Sequence, residues 1–175
     1  MTSRLLSNSN DTLIYCGTYA KYNEGSLFGK WLNISDYSDK DDFWEACREL
    51  YKDEEDPEIM FQDWESPFSD LIGESWVSDL IFDIYREFEP CQFEALKIFL
   101  SMASQDYSDI SELRSAFEDA YMGEYASEID FAESVMEEQI HSIPDHLQGY
   151  FDYKSYARDL FMDGFTFEDG HVFRF

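Results

Sequence analysis

The run Glu74-Ser75-Trp76-Val77-Ser78-Asp79-Leu80-Ile81-Phe82-Asp83-Ile84-Tyr85-Arg86-Glu87-Phe88 decides the fold class. Val77, Ile81, Ile84 and Phe88 recur at the spacing of one helix face, which predicts a helix over Glu74–Phe88. Pro90 stops that helix, or opens the next at its first turn, where a missing N–H is tolerated. Gln92–Met102 repeats the period with Phe93, Leu96, Phe99 and Leu100. Ser108–Asp119 is a third, weaker helical run with Ser108 as its cap. Residues 73–119 therefore read as an all-helical segment.

Strand signals flank it on both sides. Thr12–Tyr19 alternates apolar and small residues, and Ser26–Ile34 is a second strand candidate after the turn at Asn23-Glu24-Gly25. Asp39–Tyr51 is helical, with Phe43, Cys47 and Leu50 on one face and Ser38 or Asp39 to cap it. Glu58–Trp64 is short, aromatic and followed by Pro67, which suits an edge strand. On the far side Ala120–Tyr125 is a short strand. Ser127 caps a helix reaching to about Ile140, with Ile129, Ala132, Met136 and Ile140 inward, and Pro144 breaks it. Tyr153–Met162 is another helix. Phe165–Glu168 and His171–Phe175 flank Asp169-Gly170, the strongest hairpin signal in the chain. The expected class is α+β. The expected organisation is an elongated chain of three small domains: β-rich N-terminal residues 1–72 (with 1–11 flexible), the all-helical middle 73–119, and an α/β C-terminal domain 120–175.

The charge is extreme. The chain has 175 residues, with 39 Asp and Glu against 12 Lys and Arg, for a formal net charge of −27. Its 16 Phe, 12 Tyr and 4 Trp rule out an acidic disordered tail, which lacks the apolar area to offset chain entropy. The aromatics read as core, each removing about 150–250 Å² from water when buried. A stacking platform for single strands would need interleaved Lys or Arg, which are absent. Direct binding to nucleic acid or anionic membrane is excluded by repulsion. No apolar run is long enough to span a membrane, and Met1–Asn10 has no signal-peptide core, so the expected location is cytoplasmic.

The charge is also evenly spread: net −10 over residues 1–72, −8 over 73–119 and −9 over 120–175. Helical spacing gathers it into rows. Asp41, Glu45 and Glu49 stand at i, i+4, i+8, as do Asp79, Asp83 and Glu87, while Asp130, Glu133 and Glu137 stand at i, i+3, i+7. Like pairs at such spacing destabilise a helix by about 0.2–0.5 kcal/mol each. Ordinary surface helices relieve this with lysine, yet Lys97 is the only lysine between residues 53 and 153. A single row is an ordinary solvated face; the same pattern in all three segments is not. Duplex DNA carries one charge per about 1.7 Å of axis. A compact chain of this length has a diameter of roughly 40 Å, so 27 charges give about one per 1.5 Å. The partner implied is a protein with a basic DNA-binding groove.

Signals for chemistry are absent. His141 and His146 do not share a helix face as a zincin motif requires, and His171 adds no partner, so all three read as surface or loop histidines. Cys16, Cys47 and Cys91 are widely spaced and read as buried reduced thiols. Gly73-Glu74-Ser75-Trp76-Val77 lacks the second glycine of a nucleophile elbow. Asp53–Asp56 and Gln105–Asp109 lack the ligand alternation and glycine of a calcium loop. No enzyme, cofactor or specific metal is expected.

Lys21-Tyr22-Asn23-Glu24-Gly25 followed by Gly29-Lys30-Trp31-Leu32 resembles the first-domain signature of the ArdA antirestriction proteins. Asp63-Trp64-Glu65-Ser66-Pro67-Phe68 and Ile72-Gly73-Glu74 are similar to the stretch that follows there. Glu124–Glu133, Gly149-Tyr150-Phe151-Asp152-Tyr153 and Tyr156-Ala157-Arg158-Asp159-Leu160 resemble its third domain, so the likeness covers about residues 13–175. The resemblance implies a DNA mimic, borne by mobile elements or bacterial chromosomes. Such a mimic occupies the DNA-binding groove of type I restriction-modification enzymes, against their specificity and methyltransferase subunits. It also implies an elongated homodimer joined through the third domain. Carried over, Glu124, Glu128, Asp130 and Glu133 fall in the family's antirestriction region, near the expected dimer contact. Two copies would carry −54, equivalent to about 90 Å of duplex. The rival readings are an acidic adaptor or chaperone for basic DNA-binding proteins, and an ordinary protein adapted to high salt.

Overall fold

The computed structural model describes residues 10–137 and 139–175. The chain divides into two compact units. One is built from residues up to Lys97 with Gln105–Glu112; the other comprises Ile98–Ser104 and Leu113–Phe175. Helices and small antiparallel sheets are mixed throughout, so the class is α+β.

In the first unit β1 (Leu13–Thr18) is the central strand between β2 (Lys30–Asn33) and β3 (Ile59–Glu65), all antiparallel. Alternation aims Ile14 and Cys16 at the core, where they sit in register with Leu32 on one side and Trp64 and Phe61 on the other. A bulge between Tyr15 and Cys16 shifts the pairing with β3. The edge position of β3 matches its aromatic, proline-bounded sequence. The second strand is shorter than Ser26–Ile34 predicts. Residues 26–29 form a loop, and Tyr19–Asn23 forms a short helix, α1, capped by the Thr18 hydroxyl.

Helix α2 (Lys40–Leu50) is capped by Asp39, whose carboxylate accepts from the Asp42 N–H at 2.9 Å. It buries Phe43 and Cys47. Phe43 is fully enclosed, with its ring centroid 5.4 Å from that of Tyr37, 5.7 Å from Phe61 and 5.9 Å from Phe82. Phe43→Ala is therefore expected to cost about 3–5 kcal/mol of stability, read as a lowered urea midpoint with unchanged slope. Just past α2, Tyr51 is buried, and its hydroxyl reaches the carbonyls of Cys16 at 2.8 Å and Phe28 at 3.1 Å. Burial raises its pKa well above the ordinary tyrosine value.

Helix α3 spans Asp79–Glu87, five residues shorter at its start than the apolar stripe predicts. Val77 is buried as expected, but it lies in β5 (Trp76–Val77), paired with β4 (Ile72–Gly73). Ser78 supplies the cap, its hydroxyl accepting from the Leu80 N–H at 3.3 Å. The hairpin also needs Gly73: a Cβ there would lie 2.1 Å from the Trp76 indole nitrogen. Strand and helix happen to present Val77, Ile81 and Ile84 to one core, so helical spacing ran through a hairpin. Tyr85 ties this helix to the chain's start. Its hydroxyl donates to the Asn10 carbonyl at 2.6 Å and lies 2.9 Å from the hydroxyl of fully buried Thr12. Burial pushes its pKa up to about 12.

Helices α4 (Phe93–Met102) and α5 (Ile110–Ala120) follow. Asp109, rather than Ser108, caps α5, accepting from the N–H groups of Ser111 at 2.8 Å and Glu112 at 3.1 Å.

In the second unit the sheet order is β6 (Tyr121–Glu124), β8 (His171–Arg174), β7 (Phe165–Glu168), all antiparallel. Asp169 and Gly170, with φ of 47° and 87°, make the tight turn that the dipeptide predicts. Phe99, Phe117 and Phe173 form the core beside it. Helix α6 runs Glu128–Met136 and stops short of Ile140. Its buried face centres on Phe131, whose ring lies 5.1 Å from Tyr125, 5.1 Å from Phe165 and 5.8 Å from Phe161. Ala132 and Met136 are inward as expected, but Ile129 is exposed, because the aromatic partners rotate the helix toward Phe131. After Pro144 come α7 (Asp145–Gln148) and α8 (Tyr153–Met162), the latter capped by Asp152, and α8 packs on α6.

Two small expectations are corrected. Cys91 is exposed, while Cys16 and Cys47 are buried, and all three are free thiols. His171 is a buried strand residue, its Nδ1 2.9 Å from the Tyr121 hydroxyl, and it is neither a loop nor a surface histidine.

Candidate functional site

Negative charge marks the surface. Among the described residues no Asp or Glu is buried; Asp11, Glu54 and Asp83 are half-buried and every other one is exposed. The aromatic core takes the apolar area and leaves the carboxylates in water, where ionised groups avoid the cost of desolvation.

The first row lies where the spacing puts it. Asp41, Glu45 and Glu49 are exposed on α2, opposite Phe43 and Cys47. Asp41 sits in the first turn, where the helix dipole favours negative charge. Glu49 accepts from Lys52 Nζ at 2.6 Å. Asp41 and Glu45 meet no base within 4 Å among the described residues.

The second row is more compensated than its sequence implies. Asp79 pairs with Lys40 at 3.0 Å, Asp83 with Arg86, and Glu87 lies 3.7 Å from Arg86 Nε. Lys40 comes from the start of α2, thirty-nine positions away, so no local spacing could reveal it. The same ion pair brings the first two rows together, and the Phe43–Phe82 contact holds the two helices against each other. Exposed pairs of this kind contribute only about 0–1 kcal/mol.

The third row is bare. Glu124 ends β6, and Glu128, Asp130, Glu133 and Glu137 line or follow α6; all are exposed. None has a base within 4 Å among the described residues. Ser127 caps this helix by accepting from the Asp130 N–H at 3.2 Å. Glu112, Glu118 and Asp119 on α5 add exposed carboxylates that the rows omitted, although the same helical period would have found them.

Among the described residues no group of three or more His, Cys, Asp or Glu is placed to hold a metal ion. Nor, among the described residues, is any helix long and apolar enough to cross a membrane. The class is that of an acidic α+β protein with an anionic surface. The chain belongs to the ArdA antirestriction family, whose model matches residues 14–173. Comparison with individually characterised proteins gives no significant match, so the assignment rests on the family model. Membership supports antirestriction, the inhibition of restriction-modification enzymes, as the protein's function.

Proposed function

We propose that this protein inhibits type I restriction-modification enzymes as a DNA mimic, performing no chemistry of its own. Its carboxylates stand in for phosphates in the groove that would otherwise hold duplex. The observation that carries this reading is the outward placement of the acids, none of them buried among the described residues, over an aromatic core. The formal net charge of −27 on a chain of this length approaches the linear charge density of duplex DNA, about one charge per 1.7 Å.

The phosphate-mimicking groups are Asp41, Glu45, Glu49, Asp79, Asp83, Glu87, Glu124, Glu128, Asp130, Glu133 and Glu137. Asp41, Glu45 and the third row contribute most, because no neighbouring base compensates them. The partner surfaces are the specificity and methyltransferase subunits. The acting form is a cytoplasmic homodimer, organised along the chain as the three segments 1–72, 73–119 and 120–175. Family membership supports the antirestriction part of this account.

The experiment is a titration of a purified type I enzyme cutting unmethylated DNA. Inhibition saturating near one dimer per DNA-binding groove is expected. An acidic adaptor would instead bind unstructured basic proteins equally well and leave cleavage intact.

A further inference from the structure

Three large apolar side chains stand exposed at and beside the loop between α1 and β2. Leu27 is 86% exposed, Phe28 56% and Tyr22 55%. A flexible loop would explain such exposure, but this one is pinned. The Ser26 N–H donates to the Lys21 carbonyl at 2.9 Å and the Gly25 N–H to the Tyr22 carbonyl at 3.0 Å. The Tyr15 hydroxyl donates to the Leu27 carbonyl at 2.9 Å, and the Tyr51 hydroxyl reaches that of Phe28 at 3.1 Å. Gly29 passes so close to Tyr15 that a Cβ would lie 2.6 Å from its ring. The backbone is therefore fixed while Leu27 stands in water. Pre-organised apolar side chains of this kind are what a protein interface uses as anchors, since their ordering cost is already met.

The rim is acidic. Lys21 lies 5.8 Å from the Phe28 ring centroid, and its charge is taken up by Asp53 at 2.6 Å and Glu54 at 3.5 Å. Glu24 is exposed in the loop itself. A second copy of this chain would bring the same acids against each other, and like charges in contact are costly. The complementary occupant is a basic protein surface with an apolar recess.

We propose that Leu27, flanked by Phe28 and Tyr22, is an apolar anchor that docks into such a recess on the target enzyme. This rests on the DNA-mimic reading and adds to it a contact that duplex DNA does not make. The inhibitor thereby gains affinity that salt does not screen, because apolar burial carries no net charge.

The test measures the dissociation constant for a purified type I methyltransferase across a salt series, for the wild type and Leu27→Ser. Leu27→Ser alters only an exposed side chain, so folding is preserved, and circular dichroism checks it. The expected result is about tenfold weaker binding for Leu27→Ser at every salt concentration, a typical anchor effect, with the salt slope unchanged. Binding by Leu27→Ser equal to wild type, with a steep slope for both, overturns the anchor and leaves the mimic reading standing. A flat slope for the wild type overturns the mimic reading itself. Loss of self-association in Leu27→Ser by sedimentation, with target binding unchanged, assigns the loop to a second copy and overturns the proposal.

Discussion

Raising the salt from about 50 to about 200 mM is expected to weaken binding to a type I methyltransferase by at least about tenfold. The ceiling is set by true duplex, for which six to ten phosphate contacts make the loss about 10³–10⁵ over that range. The protein should fall below that ceiling for two physical reasons. Its carboxylates are spread over a folded surface, so fewer counterions condense on it than on a line of phosphates. Some carboxylates are already paired internally, as Asp79 is with Lys40 and Asp83 with Arg86. The measurement is a dissociation constant at several salt concentrations. An adaptor held by apolar contacts would give a nearly flat series.

Neutralising the uncompensated carboxylates together is expected to weaken inhibition more than a hundredfold. The variant replaces Asp41, Glu45, Glu124, Glu128, Asp130, Glu133 and Glu137 by their amides. Each partly exposed ion pair at an interface contributes about 0.2–1 kcal/mol, and tenfold in affinity corresponds to about 1.4 kcal/mol. The sum over the set therefore reaches a hundredfold even at modest values, while one pair alone changes affinity only a few-fold. Asp83→Asn by itself should leave inhibition within about a factor of two to three. Unfolding would not explain the loss in the combined variant. Removing like charges at i, i+4 stabilises helices by about 0.2–0.5 kcal/mol per pair, which offsets the helix-dipole stabilisation lost at Asp41, Glu128 and Asp130, so its melting temperature should change little. Inhibition abolished by Asp83→Asn alone would point to one decisive group and away from distributed mimicry.

The parts of this molecule legible in sequence were those where local chemistry and tertiary packing ask for the same thing. Asp169-Gly170 made its turn because both positions require positive φ and little else fits them. Asp39 capped α2 and Ser127 capped α6 because a short polar side chain there meets orphan N–H groups. The rows on α2 and α6 were legible because charge avoids burial. Elsewhere packing overrode pattern. Helical spacing passed through β5 because Val77 shares a core with Ile81 while lying in a strand. Ile129 lost its inward place to Phe131, which three aromatic rings hold. The Lys40–Asp79 pair was invisible because it joins two helices distant in sequence. The exposed Leu27 was equally silent, since only the pinned backbone around it shows that its exposure is built in.

The central claim is that this protein and duplex DNA compete for one groove. The most direct measurement incubates a purified type I methyltransferase with labelled duplex and titrates in the protein, following bound duplex by fluorescence anisotropy. The protein is expected to displace duplex completely, with the apparent affinity for duplex falling in proportion to the protein added and no complex holding both. A ternary complex of methyltransferase, duplex and this protein, with duplex affinity unchanged, would contradict it.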